Sequence, residues 1–253
     1  MSDSSKPRFR RIVRRHRPAD GGRGQPSLWS LRPAEIWRLL KSYVGLDGRS
    51  RREPIRDRAG LVHFLDTRAS YMAQSSLYGY LRTRAGQRYP ELFDDDPFIV
   101  SINIAKWHIW LACLSDIAVY AGSRIARHAP RDPERVGALM KSVVGEILDK
   151  TGTPAEAAGE YAAHAERVRQ RLANTEWLAV GDHEDAFSES PAALVQWAPI
   201  IDELKQLDED IVRNSVRFRW QEVRRDFRQD LDAGAVLGIP SAADADSAAE
   251  SQR

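Results

Sequence analysis

The stretch Asp96-Pro97-Phe98-Ile99-Val100-Ser101-Ile102-Asn103-Ile104-Ala105-Lys106-Trp107-His108-Ile109-Trp110-Leu111-Ala112-Cys113-Leu114-Ser115-Asp116-Ile117-Ala118-Val119-Tyr120 decides the fold. Asp96 suits an N-cap, because its carboxylate can accept from the unpaired amides of a first turn. Pro97 suits the first helical position, where a missing amide costs nothing. The run that follows is apolar on nearly every side, which marks a helix buried within a larger fold.

Phe98 to Tyr120 is long enough to cross a bilayer at about 1.5 Å per residue. Asn103, Lys106, His108 and Asp116 interrupt it, and one Lys or Asp near the middle of a span costs about 2.5–3.5 kcal/mol. Lys106 and Asp116 are ten residues apart, too far to neutralise each other along one helix. The expectation is the central helix of a soluble fold. Ser101, His108, Ser115 and Gly122 recur every seven residues and share a narrow seam. Small residues there suit close packing, with His108 hydrogen-bonded to a neighbouring helix. The sharper alternative makes His108 a general base or a ligand, since imidazole titrates near neutrality. Cys113 reads as a small buried hydrophobe.

Working outward, 253 residues suit one large domain with tails, long enough to bury a sizeable core. A single cysteine excludes an intramolecular disulfide framework and every multi-cysteine zinc pattern. No apolar segment follows the basic N-terminal residues, so no secretory signal is expected, and the expected compartment is reducing and cytoplasmic. The net charge of +2 conceals a split. Residues 1–29 carry eight Lys or Arg against two Asp, a net of +6, which leaves −4 on the remainder. This arm, with Arg8, Arg10, Arg11, Arg14 and Arg15 at its centre, reads as disordered. Such arms hold anionic lipid surfaces, or nucleic-acid phosphates nonspecifically, by charge alone; the alternative is a solvated tail.

A short helix is expected over residues 32–44, with Ile36, Trp37, Leu39, Leu40 and Tyr43 apolar, followed by a second arginine cluster from Arg49 to Arg58. The pattern is again helical from about Asp57 to Ala85, with Gly86 as the stop and Gly79 allowing another helix to approach closely. Asp132-Pro133 starts a helix that ends at Gly152. Thr153-Pro154-Ala155-Glu156 has the form of a capping box, expected to launch a helix to about Leu172. Residues 181–185 form an acidic loop around His183 without the ligand alternation of a calcium site.

Ser190-Pro191 opens the last long element, which Pro199 kinks or restarts and which runs to about Leu231. Ile200, Leu204, Leu207 and Ile211 keep a 4-3-4 spacing. A shifted set, Val216, Trp220, Val223, Phe227 and Leu231, then takes over, so the two halves face different things. Arg217 and Arg224 beside Trp220 and Phe227 are a candidate docking surface, because Trp and Arg are favoured interface anchors; the alternative is a helix that closes the bundle. Residues 236–253 read as a disordered tail.

No nucleophile elbow, phosphate-binding loop, dinucleotide fingerprint or metal-ligand spacing occurs, so neither a cofactor nor a metal is expected. Ser75-Ser76 could in principle supply a nucleophile with His63, His108 or His164 as base, and this defines the alternative reading of a small α-helical hydrolase.

The segments Leu77-Tyr78-Gly79, Tyr89-Pro90-Glu91-Leu92-Phe93 and His108-Ile109-Trp110-Leu111 together resemble the helical ubiquinol–cytochrome c chaperone family. That family has an aromatic-bearing helix, an aromatic connector and an apolar helix with a His. Asp94-Asp95-Asp96-Pro97 stands where the family has a Pro-Asp-Thr turn. The resemblance covers roughly residues 70–120 and implies a non-enzymatic assembly factor for a respiratory membrane subunit. It adds Tyr78, His108 and Trp110 to the candidate interaction residues. The expected whole is an all-α bundle of about six helices around residues 97–128. It spans residues 30–235 and acts on a protein partner, with peripheral membrane attachment through the arm.

Overall fold

A computed structural model describes residues 54–157, 159–181 and 186–239. Those residues form an all-α bundle with no strand among them, as the periodicity predicts. Its helices are α1 Arg58–Ala85, α2 Asp96–Ala126, α3 Pro133–Thr151, α4 Tyr161–Ala173, α5 Glu189–Trp197, α6 Asp202–Asp230 and the single turn α7 Ala233–Val236. The 3₁₀ stretches Gly86–Asp94 and Ala155–Ala157 join α1 to α2 and precede α4. The helix expected over 32–44, the acidic residues 182–185 and the arginines of the arm lie outside the described residues.

Local chemistry sets most boundaries. The Asp57 carboxylate accepts from the Gly60 amide at 2.7 Å and caps α1, and Asp132 does the same for α3 through the Arg135 amide at 3.1 Å. Gly86 (φ 54°) and Gly152 (φ 64°) stop those two helices in the left-handed region, where a Cβ would be strained. At α2 the cap is Asp95 rather than Asp96, and its side chain makes no capping bond. The Thr153–Glu156 capping box does not open α4. The helix begins only at Tyr161 and has no side-chain cap. Glu156 instead accepts from the Trp107 indole N–H at 3.3 Å, so its carboxylate serves the core rather than a helix start. Pro199 falls in a true break, because α5 ends at Trp197 and α6 restarts at Asp202.

α2 is the axis of the bundle, with α1, α3, α4 and α5 packed along it and α6 outside α5 and α1. By length and composition α2 could cross a membrane, yet most of its apolar run is buried among its neighbours. Tyr120, Phe187, Trp220 and Phe227 interlock where α2, α5 and α6 meet, with Phe187 and Trp220 centroids 4.7 Å apart. All four are almost fully buried. The small-residue seam of α2 has a visible purpose at Gly122. A Cβ built there would overlap the Trp177 ring, which also lies against Gly137 of α3. Gly79 faces α6, with the Arg219 guanidinium 3.1 Å from where its Cβ would stand.

Beyond α6, Leu237 is buried and its carbonyl accepts from Arg135. At the other end of the described fold, Ile55 donates its amide to the Asp230 carbonyl at 2.8 Å and accepts from the Asp232 amide at 3.0 Å.

Candidate functional site

Two polar centres lie inside the bundle, both rooted on α2. The first joins His108 to His164 of α4, with their Nδ1 atoms 3.1 Å apart. His108 is fully buried and stacked on the Trp197 indole at 3.7 Å and 6° between planes. Two Nδ1 atoms that meet this closely need one N–H and one lone pair, so the arrangement opposes charging both imidazoles. Burial lowers the His164 pKa to about 4, helped by Arg167 and His108. Burial also lowers His108, with the Ala157 backbone and Glu160 pulling the other way. Around the pair, Trp107 meets Trp110 and Tyr161 edge-on at 5.8 and 6.3 Å. Burial pushes the Tyr161 phenol up to about 12. The His108 Nε2, Trp110 Nε1 and Tyr161 hydroxyl are all buried without a hydrogen-bond partner. Lys106 sits beside this cluster, bonded to Asn103 at 3.0 Å and held below its usual pKa by burial.

The second centre is Asp116. Its carboxylate, fully out of solvent, receives the Arg171 guanidinium of α4 at 2.7 Å. It also accepts the amides of Glu189 at 3.1 Å and Ser190 at 2.8 Å. Those amides belong to the first turn of α5, which has no side-chain cap of its own. An acid from another helix therefore caps α5 and meets the positive end of its dipole. Arg171 goes on to the Ala186 carbonyl at 3.0 Å and the Ser115 hydroxyl at 2.9 Å. The Ser190 hydroxyl accepts from the Trp220 indole at 2.9 Å. Three helices thus meet at one carboxylate, and the Ser190 hydroxyl links α6 to them. Burial raises the Asp116 pKa, with Arg171 and Ser190 opposing. One turn away, burial holds the Cys113 thiol well above its ordinary pKa, so it stays protonated and unreactive.

Among the described residues no three His, Cys, Asp or Glu side chains gather for a metal. The Ser75 hydroxyl donates back to the Met72 carbonyl of its own helix at 3.4 Å. The Ser76 hydroxyl is buried without a partner. His108 is committed to His164 and His63 is exposed, so the serine–histidine constellation is not assembled.

The candidate interaction residues divide by burial. Trp110, His108, Trp220 and Phe227 are core residues, at most 1% exposed, and present no surface. Arg224 lies over the Phe187 ring at 5.9 Å, and Arg217 donates to Asn214 at 3.3 Å. Tyr78 is half-buried near Tyr89, and burial pushes its phenol up to about 12. Arg8, Arg10, Arg11, Arg14 and Arg15 lie outside the described residues.

One surface feature absent from the candidate residues is the outer face of α6. Leu207, Ile211 and Phe218 are 76%, 71% and 71% exposed. They share one face of the helix, opposite Val212, Val216, Trp220, Val223 and Phe227, which are buried. The phase shift in the α6 pattern was the available signal: two seams on opposite faces cannot both point inward. Comparison with protein-family models, with curated proteins and with solved structures finds no match to this chain.

Proposed function

We propose that this chain is a non-enzymatic helical interaction protein whose working surface is the outer face of α6. The observation that carries this reading is the row Leu207, Ile211 and Phe218 on one exposed helix face, because aligned apolar side chains in water mark a contact site more often than scattered ones do. The hydrolase alternative draws no comparable support, since Ser75 bonds its own helix, Ser76 is buried without a partner, and His108 and His164 bond each other. The test is a crosslinked capture from native cells, comparing the wild type with Leu207→Lys/Phe218→Lys. Loss of one specific partner from a variant that keeps its helical content supports the reading. An unchanged set of partners overturns it.

A narrower form of the same proposal is an assembly chaperone for a respiratory subunit at a membrane. Its support is the resemblance over residues 70–120 together with the net charge of +6 on residues 1–29. It predicts salt-sensitive binding to vesicles containing anionic lipid, lost on deletion of the arm. Salt-insensitive binding, or binding that survives the deletion, counts against it.

A further inference from the structure

We infer that the partner of the outer α6 face is a second copy of this chain, bound antiparallel through α6 itself. This rests on the reading of α6 as an interaction surface and adds its occupant. Two observations carry it. The first is spacing. Leu204, Leu207, Ile211, Asn214, Phe218 and Gln221 continue one 3-4 heptad seam along the helix, the pattern by which two helices interdigitate. Every member except half-buried Leu204 is exposed. From Leu204 to Gln221 the seam is about 26 Å long at 1.5 Å per residue.

The second observation is charge. Residues 202–210 carry Asp202, Glu203, Asp208, Glu209 and Asp210 against Lys205, a net of −4. Residues 213–228 carry six arginines against Glu222 and Asp226, a net of +4. A parallel pair of such helices would stack like charge on like along its whole length. An antiparallel pair sets the acidic half of each against the basic half of the other. Asp208, Glu209 and Asp226 already pair within the chain, with Arg84, Arg213 and Arg68. The complement across a two-fold interface is therefore carried by exposed Glu203 and Asp210 of one copy opposite Arg217 and Arg224 of the other.

Full overlap of the two seams sets the register. With the two-fold axis between Val212 and Arg213, Leu207 packs on Phe218 of the second copy, and Ile211 on Asn214. Leu204 then meets Gln221 at the outer end. Glu203 and Asp210 flank the seam on the same side as Arg217 and Arg224, so each acid approaches an arginine of the other copy. One apolar pair per half and a polar centre make a small interface, for which a dissociation constant on the order of 10 µM is expected.

The experiment uses the full chain in sedimentation equilibrium from about 1 to 300 µM, with disulfide trapping of the register. The expected result is a monomer–dimer equilibrium weakened at least ~10-fold by Ile211→Lys and severalfold by raising salt to about 0.5 M. Leu207→Cys/Phe218→Cys should form a covalent dimer under mild oxidation, whereas Leu207→Cys alone should not, because the two Leu207 positions lie about 16 Å apart in this register. Circular dichroism confirms that each variant folds. Trapping by Leu207→Cys alone indicates a parallel pair and overturns the proposal. A monomer at every concentration overturns it as well. If that monomer still captures a different protein, and Ile211→Lys abolishes the capture, only the second-copy assignment falls. If no Ile211-sensitive binding of any kind remains, the interaction reading falls with it.

Discussion

The Asp116 carboxylate of α2 accepts the Ser190 amide of α5 at 2.8 Å, so a residue buried in the central helix supplies the N-cap of a helix more than seventy positions later. The same carboxylate holds Arg171 at 2.7 Å. Removing its charge leaves a largely buried guanidinium and two first-turn amides with a weaker acceptor. Asp116→Asn should therefore cost about 3–4 kcal/mol, within the range for breaking one side of a buried pair. Urea unfolding of the two proteins checks it, and a loss under about 1 kcal/mol would mean that the Arg171 pairing contributes little.

The His108–His164 pair gives stability a direction with pH. The His164 pKa falls from an ordinary 6.5 to about 4 on folding, so between those values the unfolded chain binds the extra proton. Stability from this pair is fully present above pH ~6.5 and declines as pH falls toward ~4, by up to roughly 3 kcal/mol. Denaturant midpoints measured from pH 7.5 down to 4.5 should slope downward in the wild type, and the slope should flatten in His164→Phe. Identical slopes in both proteins would assign the acid sensitivity to other groups.

Gly122 has no room for a side chain, because its Cβ would enter the Trp177 ring, with Met140 Cγ 3.0 Å away on another side. Gly122→Ala should destabilise by about 1–3 kcal/mol, the usual range for overpacking. Trp177→Leu should also destabilise, but the double variant should lose less than the sum of the two. Strict additivity in that cycle would show that the two positions do not press on each other.

Neighbouring aromatics on α6 should behave oppositely. Trp220 is fully buried with its indole N–H on Ser190, while Phe218 is 71% exposed. Trp220→Ala should cost about 3–5 kcal/mol, and Phe218→Ser should leave monomer stability within about 0.5 kcal/mol. Thermal melts of dilute protein separate the two, and similar losses would mean that Phe218 is covered in solution.

Those contrasts show what local sequence can and cannot encode. Asp132-Pro133, Gly86 and Gly152 mark helix ends because caps and left-handed glycines act within one turn, and each end was legible in advance. The central helix was legible for the same kind of reason, since its apolarity on every side is a property of contiguous residues. Thr153–Glu156 misleads because the same four residues satisfy a local capping pattern and a distant demand from Trp107, and the distant one prevails. Asp116 and Arg171 are separated by 55 positions, so nothing in either neighbourhood announces their pairing. Trp220 and Phe227 have the composition of a docking site, but only the packing of α2, α5 and α6 decides which side of α6 faces water.

The pairing of Ile55 with Asp230 and Asp232 brings the two ends of the described fold into contact. In topological terms the segment before α1 and the segment after α6 are tied together, which closes the helices between them into a ring. A chain cut in the exposed turn at His128–Arg131 should therefore stay associated as two fragments, held by that tie and by both buried polar centres.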